Sequence, residues 1–214
     1  MKEKFFSFIK KNWILLLIIF GSVLLKVIKI TEPFSISWDI AFQGYIAQNH
    51  YLHGLANNHF SNVIGYNDLG NIYHLKHPPL IQILIYFSYL IFGISEFSVR
   101  IVPIVFSTLS LILLYLIIQE VWHNKKLSNL TVFFFAIIPM SSWFGRVANF
   151  QAFVLAFCLL TIYTFLKFKK YRSWTFILFI LAICAGCLSD WSYYFVIPGL
   201  LLFSILTKQK IKLA

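Results

Sequence analysis

Apolar residues run almost unbroken through most of this chain, and polar ones collect in a few places. The apolar runs cover about 13–30, 99–121, 128–144, 150–166, 174–188 and 192–206. They lack the alternation of half-buried strands and come close to the length a helix needs to cross a bilayer. The pattern predicts an all-α, multi-pass transmembrane protein with six spans. Residues 32–98 break the pattern and read as one long loop between spans one and two, with spans two to six filling 99–206.

Two parts of that loop carry helical signals of their own. Over 38–53, Asp39, Gln43, His50 and His53 fall within about 80° of one another on a helical wheel, with Ile40, Tyr45, Tyr51 and Leu52 elsewhere. Residues 80–94 follow the Pro78-Pro79 pair, which suits a first helical turn. This segment is greasy, with Gln82, Tyr86, Tyr89 and Gly93 forming a narrow wettable stripe. At 1.5 Å per residue it reaches about 22 Å, short of the roughly 30 Å hydrocarbon core. Both segments are expected to lie in the outer interface. Residues 54–77, rich in Gly and Asn, read as irregular loop.

Basic clusters test that choice. They sit at Lys2–Lys11, at Lys125-Lys126, at Lys167–Arg172 and at Lys208–Lys212. If 80–94 crossed the membrane, the first cluster would face away from the other three. If it lies flat, all four share one face, as positive-inside topology requires. The expected protein sits in the cell membrane with both termini cytoplasmic, the 32–98 loop outside, and Lys26 and Lys29 snorkelling to the outer interface.

Composition sharpens this reading. Hydrophobic residues make up 60% and charged ones 12%, and mean hydropathy is +0.81. A soluble domain usually carries charge on about a quarter of its residues. The net charge of +11 arises from clusters flanking apolar runs, so it marks topology and argues against nucleic acid. Cys184-Ala-Gly-Cys187 has redox-motif spacing, but Leu188 follows it and no βαβ pattern surrounds it. Small residues easing helix packing account for it better.

The titratable residues concentrate in the loop. It holds every histidine except His123 and more than half of the seven acids. With the flat-helix topology, Asp39, Lys76, His77, Arg100, Arg146, Gln151 and Asp190 converge on one membrane face. Plain structural roles compete for several of them. Arg100 and Arg146 would then snorkel to lipid phosphates, Asp190 cap a helix end, and His77 fix the turn before the prolines. Together, two cations, two acids and several imidazoles suit an anionic, lipid-linked ligand. The histidines leave a divalent metal open, although no ligand spacing such as HExxH is present.

The blocks WDIAFQGYIAQN, HPPL, FGISEFSVRIVPIVFSTLSLILLYL and FGRVANFQAFVLAF, in this order, resemble the N-terminal half of the GT-C membrane glycosyltransferases. The protein O-mannosyltransferases and the lipid A aminoarabinose transferases are the nearest in kind. The resemblance implies a polyprenyl-phosphate sugar as donor, transferred outside the cell to a protein, lipid or glycan. It implies that Asp39 is the catalytic base, and that His77, Arg100 and Arg146 match family positions that bind substrate. Gln151 stands where many relatives have an acid, Ile40 where many have a second acid, and Lys76 where some have Glu. Relatives are much longer, so residues 1–214 are expected to be the N-terminal part of one such module. The alternatives are a non-catalytic membrane subunit or transporter, or an inactive transferase fragment. Against a transporter stand the lack of polar groups near mid-bilayer and of repeated halves.

Overall fold

The computed structural model describes residues 2–28, 30–31, 38–54, 77–168 and 174–206, with side chains from Lys10 in the first helix and Gln43 in the second. Among them the secondary structure is helical throughout. The elements are α1 (Lys2–Val27), α2 (Trp38–His53), α3 (Leu80–Phe92), α4 (Glu96–Trp122), α5 (Lys125–Ile137), α6 (Pro139–Phe144), α7 (Phe150–Phe168), α8 (Trp174–Cys187), a 3-10 turn (Trp191–Phe195) and α9 (Val196–Leu206). Two helices in the described residues, Glu96–Trp122 and Phe150–Lys167, are long and apolar enough to cross a membrane.

Local chemistry sets the helix ends. Gly93, at φ +75°, closes α3, and Ser95 caps α4 by accepting from the Ser98 amide. His123 ends α4 in the left-handed region, and Asn124 caps α5 through the Leu127 amide. The apolar run expected as a single span over 128–144 is two helices. Ile138 is extended because Pro139 follows it, and the helix restarts at that proline. The first helix begins before its expected span, at Lys2, and is kinked at Asn12. The expected final span divides into the 3-10 turn and α9.

α4 is the central post, packed against α1, α3, α5 and α7. Near one end of the bundle, Leu15, Leu111, Tyr115, Val132 and Ala136 join α1, α4 and α5. Beyond them lie the basic residues. Lys125 donates to the Lys11 carbonyl, and Lys167 pairs with Glu120. The ends of α1, α4, α5 and α7 that carry these lysines therefore meet.

The opposite end is closed by α2 and α3. Ala47, Ile81, Ile85 and Tyr89 pack on Val99, Val102, Ala148, Ala152 and Phe153, at the openings of α4 and α7. Tyr89 donates to the Gly44 carbonyl at 3.2 Å, and Ser88 to the Ser98 carbonyl at 2.7 Å. A β-carbon on Gly44 would stand 3.3 Å from Val99, so glycine permits this approach. Half of the expected wettable stripe of α3 faces inward: Gln82 and Tyr89 are buried, Tyr86 is half-buried and Gly93 is exposed, while Phe87, Leu90, Ile91 and Phe92 are exposed. Likewise Gln43 and His50 of α2 are buried, and only His53 of that described face is open. Packing against neighbouring helices, rather than access to water, sets where these polar side chains point.

Small and hydroxylic residues fill the helix contacts. Thr161 and Thr164 donate to carbonyls of their own helix, which removes the cost of burying a hydroxyl. Gly186 lies against the Tyr193 ring, where a β-carbon would be 2.2 Å from the ring. Cys184 and Cys187 are both free thiols, in line with a packing role for this stretch. Lys29, residues 55–76 and the basic positions 169–172 and 208–212 lie outside the described residues.

Candidate functional site

The end closed by α2 and α3 holds a cavity of about 790 Å³ between α4, α5, α6 and α7. Its polar rim carries His77, Gln151, Asp190 and Ser192, and the rest of its lining is mostly apolar, with Phe135, Met140, Phe144, Val154, Leu155 and Cys158 among others. The size suits a small-molecule or lipid site, with few polar groups fixing orientation inside apolar walls.

His77 and Asp190, far apart in sequence, meet at the rim. His77 Nδ1 lies 2.8 Å from Asp190 Oδ2, and the imidazole stacks on Phe150 with ring centres 4.1 Å apart. The Leu80 amide bonds the Leu188 carbonyl, which holds the start of α3 against the end of α8. Asp190 uses its other oxygen as a cap, accepting from the Ser192 amide at 2.9 Å and hydroxyl at 2.6 Å. Burial alone would push this carboxyl up. The Ser192 bonds and His77 outweigh burial and hold it below the usual aspartate range. Asp190 is therefore ionised at neutral pH, and as an acceptor it requires the proton on His77 Nδ1. Asp190 thus caps the turn, as the sequence suggested, and also pairs with His77.

The arginines stand elsewhere. Arg146 donates to the Ile28 carbonyl at 3.3 Å, with its guanidinium 5.1 Å from the centre of the Trp143 ring. It thus clamps the α6–α7 turn to the end of α1. Arg100 is 6% exposed, too deep for snorkelling. Neither arginine is in the cavity wall. Asp39 sits in the first turn of α2, and its side chain lies outside those described. Of the predicted site residues, His77, Gln151 and Asp190 share the cavity, while Arg146 follows the lining residue Gly145 and Arg100 is not in the lining.

Burial also lowers the His50 pKa, opposed by a backbone bond from Gly54, so this imidazole is neutral at pH 7. Among the described residues, no group of three or more His, Cys, Asp or Glu is placed to hold a metal ion; His59 and His74 lie outside them. Of the aromatics near the turns, Phe144 lines the cavity, Tyr193 is fully buried, and Trp143, Trp191 and Tyr194 are exposed.

One residue of this end has a different place from the one expected. Lys26 does not snorkel: it is 0% exposed, and among the described residues its ammonium has no hydrogen-bond partner. A lysine in an apolar run was the only signal in the sequence, and it fits a snorkelling residue equally well.

Residues 76–214 match the family model of dolichyl-phosphate-mannose-protein mannosyltransferases. Among solved structures, the chain is similar to ArnT from Cupriavidus metallidurans in the apo state, with a TM-score of 0.71 and 12% identity. The match covers 94% of this chain and 37% of that one. At this identity the likeness concerns the fold. No curated protein matches the sequence.

Proposed function

The chain belongs to the dolichyl-phosphate-mannose-protein mannosyltransferase family, and from that premise we propose that it serves sugar transfer from a polyprenyl-phosphate donor to an acceptor outside the cell. The observation that carries this reading is the apolar cavity with His77, Gln151 and Asp190 at its rim. Such a cavity suits a lipid chain, with the sugar and phosphate at the polar mouth.

The chemistry needs a base and a fixed cation. Asp39 is the base: a carboxylate within hydrogen-bond reach takes the acceptor hydroxyl proton as that oxygen attacks the anomeric carbon. The bond to the lipid phosphate breaks as the new glycosidic bond forms, so the configuration inverts. Arg146 or Arg100 stabilises the departing phosphate through a bidentate guanidinium. His77, oriented by Asp190, and Gln151 position the donor.

The same reading places six spans in the cell membrane, both termini inside, and α2 and α3 on the outer leaflet. Two features support it: the lysine-bearing ends of α1, α5 and α7 gather at one end of the bundle, and the exposed face of α3 is greasy. Purified protein in liposomes, given labelled polyprenyl-phosphate sugars, tests the reaction. Transfer or hydrolysis of the sugar is expected. A wild type that releases no sugar overturns the proposal, and donor binding without release favours the non-catalytic subunit.

A further inference from the structure

We propose that Lys26 is the anion receptor of the cavity, and that it holds the phosphate of the lipid that fills it. The inference rests on the lipid-donor reading and adds the residue that recognises the phosphate.

Lys26 lies in the last turn of α1 and is completely buried, with its Nζ unpartnered. A helix C-terminus favours a cation only modestly, by far less than an unpaired buried charge costs. The site therefore calls for an anion. The nearest part of the cavity wall is built to admit one. Lys26 Cε would stand 2.7 Å from a β-carbon on Gly145, and Gly145 lines the cavity. With no side chain there, the lysine stem packs directly on a residue of the cavity wall. Ser107 and Ser141 line the same wall. Ser107 donates to the Gly145 carbonyl at 3.0 Å. Asp190, the acid on the rim, already has its oxygens engaged with His77 and Ser192. Among the described residues no acid bonds Lys26, so the ligand is the source of the anion, and in a greasy cavity the suitable ligand is a lipid monophosphate.

The test compares farnesyl phosphate, farnesol and inorganic phosphate binding to the full chain in nanodiscs. Wild type is expected to prefer farnesyl phosphate over farnesol at least tenfold. Lys26→Met should erase that preference, as should Lys26→Gln, and Lys26→Arg should retain most of it. Lys26→Met should melt no lower than wild type, because it removes an unpaired buried charge. Lys26→Met or Lys26→Gln that still discriminates phosphate from alcohol overturns the assignment. Inorganic phosphate that displaces farnesyl phosphate at equal concentration overturns the lipid half of it. If the preference depends on Lys26 but no sugar is ever transferred, the transferase reading fails and the anion site stands.

Discussion

The two ends of the helical bundle use charge in opposite ways. At the basic end, Lys10, Lys11 and Lys126 are exposed, and the Glu120–Lys167 pair is partly solvated. Charges there can be hydrated, so any one of them contributes little. At the end covered by α2 and α3, Lys26, Arg100, Gln43, Asn49, His50 and Gln82 are all buried. Keeping polar groups in such places costs stability unless each is paired. The contrast separates charge that orients a protein in a membrane from charge retained for a task.

Substitutions at the two ends should therefore differ in kind. The largest effect is expected from Asp39→Asn. As the general base its loss should lower sugar transfer by about 10²–10⁴-fold, with binding of donor retained; full activity in the variant, measured as initial rates, would remove Asp39 from the chemistry. Asp190→Asn comes next. It leaves His77 without its charged partner and weakens the cap, at about 1–3 kcal/mol by chemical or thermal unfolding. The native carboxyl is depressed relative to the unfolded chain. Its stabilisation is thus complete above the ordinary aspartate range and disappears as pH falls through the lower native value. Wild type should accordingly lose stability on acidification from pH 5 to about pH 3 more steeply than Asp190→Asn. Equal slopes would show that the pair contributes nothing.

Gly145→Ala should cost about 1–3 kcal/mol, because its β-carbon would meet the Ser141 carbonyl at 2.6 Å as well as Lys26. An unchanged melting temperature would mean that this wall yields freely. The smallest effect belongs to the basic end: Glu120→Gln should change stability by less than about 1 kcal/mol and leave transfer intact. A large loss of activity there would erase the distinction between the two ends.

Much of the fold was legible because bilayer physics writes it into composition. The positions of α4, α7 and α8 follow from apolar runs, and the short helices over 38–53 and 80–92 from their pattern and the proline pair. The split at Ile138–Pro139 was readable in principle, since a residue before proline resists helix, but hydropathy overrode it. His77 and Asp190 could be named from sequence as candidates. Their bond to each other could not, because it depends on α3 docking against the end of α8, more than a hundred residues away in the chain.

The sequence by itself determined that this protein is helical, greasy, and sorted into a basic end and a histidine-bearing end, since those properties depend on residue type and short-range order. Only the tertiary structure decided which polar residues face inward. The stripe of α3, the Gln43 and His50 side of α2, and Lys26 all carry patterns that water, lipid headgroups or protein could satisfy. Packing chose among these, because a polar group's direction is fixed by what neighbouring helices place within its reach.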